Sequence, residues 1–475
     1  MMNSSRQGNE NSSTDSSTQG NENSSTDSST QGNENSSTDS STQGNEYNST
    51  DISKQSAVIN TVSSRQELEY VINKAVYSTE VTDIHTHLYS ECFNKLFLYG
   101  VDELLTYHYL VAETMRHLDI DYSAFFELSK AEQAACVWDT LFVRNTPVSE
   151  PARSIITIFN RLGLDVNNKD INYFRNYFNN INLSDHIDDI FRLNNLKCVV
   201  MTNDPFDVLE RSVWECGFVK DDRFMAALRV DILLNYWDRA VSELNSQGYK
   251  VNYDLSDNTV NEVKRFLLEW IDRMEALYCA VSLPPDFSIK DVSVRAKLIE
   301  QCILPVCRQR NIPFALMIGV KRNVNAELRL AGDSLGRADI EAVEALCSTF
   351  PQNKFLVTML SFENQHELII TARKFKNLMV FGCWWFINSP TTIELITNMR
   401  VEWLGNSFIP QHSDCRVFEQ LISKWEHSKC SIAKVLTNKY GDLLEMGYTF
   451  SKEQIVKDVE QLFGENFWSF LNKKL

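Results

Sequence analysis

The chain has 475 residues, 43% of them hydrophobic, which is enough to bury the core of one large domain or two ordinary ones. Its formal net charge of −17 argues against nucleic acid or an anionic membrane as the main partner, and means that an anionic substrate needs arginines placed locally. No apolar run reaches the roughly eighteen residues of a membrane span, and MMNSSRQGNENSS lacks the apolar stretch of a secretory signal. Eleven cysteines without a CxxC pair read as reduced thiols, which places the protein in the cytoplasm.

Residues 1–56 form a tail of their own. QGNENSSTDSST occurs three times without change from Gln7 to Thr42, and a fourth copy decays after Glu46. The repeat has almost no apolar side chains, cannot offset the entropy of ordering, and is expected to be disordered. It carries eight acidic residues against Arg6 and Lys54, leaving about −11 for the remainder. From residue 57 to 475 the composition is that of a globular enzyme.

A helix is expected over Ser64–Tyr77, with Leu68, Val71, Ile72 and Ala75 on one face. The first strand, Val81–Leu88, contains His85 and His87, which alternation places on one face. At a strand end two imidazoles suit one metal ion; two hydrogen-bonded core histidines fit the pattern equally well. Residues 89 to 195 are too many for one crossover and read as a helical insertion over the mouth of a barrel. His108 and Tyr109 lie within it, placed either to reach the mouth from above or simply to pack. The second strand, Leu196–Thr202, runs into Asn203-Asp204-Pro205, which suits substrate hydroxyls or a turn. The third, Phe224–Val230, carries Arg229 near its end. Leu277–Leu283 and Phe314–Gly319 follow, the latter leading to Arg322, and then Lys354–Leu360. Leu378–Cys383 leads into Trp384-Trp385-Phe386, aromatics that fit a pocket wall or a packed core. The last strand, Ser407–His412, leads to Asp414 and Arg416, and a helix is expected over Arg416–Trp425.

Eight such strands alternating with helices make the pattern of a (β/α)8, or TIM, barrel. Closure makes the first and last strands neighbours, which sets Asp414 beside His85 and His87 as a hard oxygen ligand. The competing role for Asp414 is N-cap of the following helix. His412 should share its face, as a partner supporting a ligand from behind, a further ligand, an acid/base or a core histidine. Arg229, Arg322 and Arg416 at strand ends suit a carboxylate through paired hydrogen bonds, although each alone is more often solvated or salt-bridged.

These residues together resemble the uronate isomerases of the amidohydrolase superfamily. The resemblance covers nearly all of 60–475 and rests on ordered motifs: Asp83-Ile-His85-Thr-His87, His108-Tyr109, Met115-Arg116, Thr202-Asn-Asp-Pro205 and Leu228-Arg229-Val-Asp231. Ile318-Gly-Val-Lys-Arg322-Asn323, Gly382-Cys-Trp-Trp-Phe386 and Ser413-Asp414-Cys-Arg416 complete the series. It implies interconversion of D-glucuronate or D-galacturonate with the keto-uronate, using one divalent metal, zinc or manganese, held by His85, His87 and Asp414. It further implies Asp414 as general base, His108 and Tyr109 on substrate oxygens, and Arg229, Arg416 and Arg322 on the carboxylate, with Trp384 at the substrate. The partner is then a small sugar acid; a homo-oligomer stays open. The chain also departs from the family. It reads Met317-Ile-Gly319 where His-Ile-Gly is common, Ser282-Leu-Pro-Pro-Asp286 where acidic and histidine residues are usual, and Asn203-Asp204 for a double aspartate. A mononuclear metal-dependent hydrolase on the same scaffold is the alternative. The missing fifth-strand histidine counts against a two-metal version of it.

Overall fold

The computed structural model describes residues 60–256 and 258–475. The tail expected over 1–56 lies outside them. Seven parallel strands form one sheet: β1 Val81–Thr86, β2 Leu196–Asn203, β3 Phe224–Arg229, β4 Cys279–Leu283, β5 Phe314–Ile318, β6 Phe355–Met359 and β7 Leu378–Val380, paired in that order. Most are fully buried, apolar and bounded by turns, as strands covered on both faces must be. An inner cluster, including Ile84, Val200, Ala227, Ala280, Ala315, Met317 and Leu356, fills the barrel axis. A larger cluster joins the outer faces of the strands to the surrounding helices.

The eighth strand is where expectation and structure part. Ser407–His412 makes one parallel bridge, Ile409 to Phe381, and no regular strand. Pro410 has no N–H to give to a ladder. Closure instead uses scattered bonds: Ile409 N donates to the Val380 carbonyl (3.0 Å), Asp414 N to that of His85 (3.2 Å) and His87 N to that of Cys415 (2.8 Å). Buried Asp83 accepts from Ser413 N (3.0 Å) and from Trp425 Nε1 (2.9 Å). The sheet is thereby drawn round from β7 to β1 as a closed (β/α)8-type barrel.

The first strand is irregular at the point that matters. Its register with β2 slips between Asp83 and Thr86, where three steps on β1 match two on β2. A bulge of this kind turns two consecutive side chains the same way. Ile84 accordingly sits in the inner cluster, while His85 lies against Phe381 of that same cluster, ring centres 6.4 Å apart.

The floor of the barrel is sealed by a helix at Asn466–Asn472. Its Phe467 and Phe470 join the inner cluster, and Trp468 Nε1 donates to Thr82 Oγ1 (3.1 Å). Lys354 Nζ, at the start of β6, donates to the carbonyls of Leu471 and Lys473 at the end of that helix. Between β1 and β2 the insertion is helical, including Val101–Leu105, His108–Thr114, Lys130–Trp138, Glu150–Arg161, Ile171–Asn179 and Leu183–Asn194. It is pinned to the segment beyond Asp414 by Glu419, which is fully buried and accepts from Gly100 N (3.2 Å) and pairs with His186 Nε2 (2.9 Å). The helix expected over Arg416–Trp425 begins later and runs much further, over Gln420–Glu445.

Candidate metal centre

Asp414 does not cap a helix. The following helix starts at Gln420 behind Glu419, five residues downstream of Asp414, so the carboxylate is left for another task. Asp414 sits in the left-handed region at φ +55°, a conformation that costs a non-glycine residue about 1–3 kcal/mol and is kept where its surroundings impose it. Here the backbone bonds that close the barrel impose it, and they aim the carboxylate at β1.

His85, His87 and Asp414 meet there, with one ligand atom from each lying within 4.8 Å of the others. Asp414 Oδ1 stands 3.4 Å from His87 Nε2 and 3.8 Å from His85 Nε2. Neither is a hydrogen-bonding distance, and Oδ1 is buried without a donor. Burial first, and then His87, push the His85 imidazole down to about 3, against the opposing pull of Asp414. His87 is held well below its ordinary range by burial and then by Arg416, Arg229 and Arg322. Two neutral imidazoles and a carboxylate oxygen, facing one another without a hydrogen bond between them, are the donor set of a divalent cation. The residues fit such an ion.

On their far sides the rings are held. His85 Nδ1 lies 3.2 Å from Tyr278 Oη, and His87 Nδ1 lies 3.0 Å from Thr202 Oγ1. Tyr278 carries no signal in the sequence of a partner 193 residues away: it stands within the expected strand Leu277–Leu283, and the strand itself begins at Cys279. His412 shares the cluster, its ring centre 5.3 Å from that of His85. Both its ring nitrogens are buried without partners. It fits only because residue 382 is a glycine: at φ +64°, a Cβ there would fall 1.7 Å from His412 Nδ1.

The three arginines differ in their commitments. Arg229 Nε and Nη2 contact the Asp231 carboxylate at 3.0 and 3.4 Å. Arg322 pairs with Asp333 at 2.5 Å and lies over the Trp385 ring. The Arg416 guanidinium has no ion pair or hydrogen bond among the described residues, so its charge is the one left uncompensated. It lines a cavity of about 400 Å³ together with His108. His108 is kept neutral by burial, then by Arg416 and Lys424, and its Nε2 is buried without a partner. Tyr109 is held in its protonated form by burial first and lines a neighbouring cavity of about 190 Å³ with Trp385 and Lys424. Trp384 is 3% exposed and packs into the inner cluster; Trp385, at φ +47°, is the tryptophan that lines the cavity. The adjacent tryptophans gave no means of telling which would turn outward.

No helix among the described residues is long and apolar enough to cross a membrane, and all eleven cysteines are unpaired. No protein-family model matches the chain, and no curated protein does. Solved structures do. An uronate isomerase from Bacillus halodurans C-125 is 51% identical, with a TM-score of 0.85, covering 87% of this chain and 98% of that one. An uronate isomerase from Thermotoga maritima (16% identity, TM-score 0.68) covers 85% of this chain and 97% of its own. A glucuronate isomerase from Caulobacter crescentus (15%, TM-score 0.66) covers 86% and 95%. These two share the fold.

Proposed function

Because the chain belongs to the uronate isomerase family, we propose that it interconverts a hexuronate, D-glucuronate or D-galacturonate, with the corresponding keto-uronate. Residues 57–475 are the catalytic domain in this reading, with the insertion of about 89–195 supplying part of the mouth. One divalent ion, zinc or manganese, is held by His85, His87 and Asp414 and supplies polarisation of the sugar carbonyl when bound.

The remaining chemistry falls to side chains. Aldose-to-ketose conversion removes the proton from C2 and protonates O1, giving an enediol; a proton then returns to C1 as the C2 hydroxyl loses its own. Asp414 is the base for carbon. His108 and Tyr109, both in their neutral forms, hold or protonate the sugar oxygens. Arg416 receives the uronate carboxylate, and Arg229 and Arg322 add to the positive field around it while remaining paired to Asp231 and Asp333. Trp385 is better placed than Trp384 to touch the sugar.

The observation that carries the reading is the pairing of a metal donor set with an uncompensated arginine within electrostatic reach of it. A neutral sugar would not need that cation, and an acid sugar would. The test is purified protein with zinc or manganese and each uronate, watched for the keto-uronate. Protein that holds metal but leaves every uronate unchanged overturns the proposal and favours the mononuclear hydrolase.

A further inference from the structure

Each ligand histidine is backed by a hydroxyl, and each hydroxyl is bonded to the same kind of atom. Tyr278 Oη lies 2.6 Å from the carbonyl oxygen of Ile84, and Thr202 Oγ1 lies 2.8 Å from that of Thr86. Ile84 is the residue before His85, and Thr86 the residue before His87. Tyr278 reaches its site from just ahead of β4 and Thr202 from β2, so two unrelated elements arrive at the same arrangement.

A hydroxyl has one proton and can accept through its lone pairs, whereas a carbonyl oxygen can only accept. The proton of Tyr278 is therefore committed to Ile84 and that of Thr202 to Thr86. The ring nitrogen facing each hydroxyl must then be the donor. Any other assignment leaves a contact between two acceptors in a place sealed from water, where Tyr278 is 1% and Thr202 3% exposed, and an unmade bond there costs about 1–3 kcal/mol.

From this we propose that Tyr278 and Thr202 are positioning residues that hold His85 and His87 in the Nδ1–H form, so that both Nε2 lone pairs face Asp414. The bulge in β1 contributes by bringing Ile84 and His85 together on the barrel axis, where one phenol serves both. Without the hydroxyls each ring is free to carry its proton on Nε2, which would turn an N–H toward the ion site and remove a ligand. The proposal deepens the metal reading above, but concerns the chain's own protons and holds whether or not an ion is bound.

The experiment uses full-length, metal-free protein and long-range proton–nitrogen NMR of its imidazoles, with Thr202→Val, Thr202→Ser and Tyr278→Phe beside the parent. The parent should show His85 and His87 protonated at Nδ1. Thr202→Val should release His87 from that form while Thr202→Ser retains it, and Tyr278→Phe should release His85. Zinc affinity, measured by competition with a chromophoric chelator, should fall about 10–100-fold in the valine and phenylalanine variants and recover in the serine variant. An Nε2–H signal from either ring of the parent overturns the proposal. So does unchanged tautomer and zinc affinity in Thr202→Val and Tyr278→Phe. Nδ1–H rings in a parent that binds neither zinc nor manganese uphold it while sinking the metal reading.

Discussion

The two ends of the barrel treat their nitrogen donors differently. At the floor, Lys354 Nζ and Trp468 Nε1 are directed onto the chain's own acceptors. At the mouth, His108 Nε2, both nitrogens of His412, Asp414 Oδ1 and Trp385 Nε1 are buried with nothing to bond. Each such orphan costs about 1–3 kcal/mol. Orphans occur elsewhere, Asn353 Oδ1 at the floor among them, but the five that gather beside left-handed Asp414 and Trp385 mark a place where folding energy has been given up for something that is to be bound. The floor is built to hold the fold, the mouth to receive a ligand, in keeping with the usual division of a TIM barrel.

Substitutions at the two ends should therefore separate activity from stability. Asp414→Asn should lower kcat/KM by at least ~10³-fold, about 4 kcal/mol in the barrier, with an unfolding midpoint no lower than the parent's in metal-free protein. Retained turnover would remove Asp414 from the chemistry. Phe467→Ala at the floor empties a fully buried site and should cost about 3–5 kcal/mol in denaturant unfolding, with kcat/KM unchanged below the transition. A matching loss of turnover would show that floor and mouth are not independent.

Glu210 sharpens the contrast through pH. It accepts from Tyr89 Oη (2.5 Å), Asp204 N (2.8 Å) and Asn203 Nδ2 (3.2 Å), and burial raises it from 4.5 to about 7 despite those bonds. As pH rises from 4.5 to 7 the unfolded chain releases this proton first, so the folded state loses stability across that window. Relative to the parent, Glu210→Gln should gain on the order of 3 kcal/mol in unfolding free energy over that range, whatever its offset at acid pH. A flat difference would mean that the carboxyl titrates normally. Arg416→Met should raise KM for a uronate about 10–100-fold, the worth of a charge-assisted contact, with little change in stability because no ion pair is broken. Arg229→Ala should disturb KM less, and stability more, because Asp231 is left alone. An effect comparable to that of Glu210 belongs to Lys354, which burial lowers from 10.5 to about 8. The parent should gain stability over Lys354→Met as pH rises from 8 to 10.5, opposite in sign to Glu210.

Periodicity and closure made seven strands and the meeting of His85, His87 and Asp414 legible. Those strands are short apolar runs between turn residues, and His-x-His on β1 with Asp414 far downstream needs only a closed barrel to bring the three together. The eighth strand was less legible because hydrophobicity alone does not reveal that its closure runs through Pro410, the Asp83 carboxylate and a left-handed Asp414. Trp384 and Trp385 are chemically alike, and backbone geometry alone separates their places. Which arginine would be left unpaired depended on where Asp231 and Asp333 fell, a matter of tertiary packing. Tyr278 was invisible for the same reason.

The bonds between Asp83 and Ser413 span 330 residues. A ribosome adding about 5–20 residues per second needs roughly 15–65 s to cover that distance. For that interval His85 and His87 exist without Asp414, and β1 has no neighbour on its outer edge. An ion that needs all three side chains can therefore bind only once the last part of the barrel has been translated.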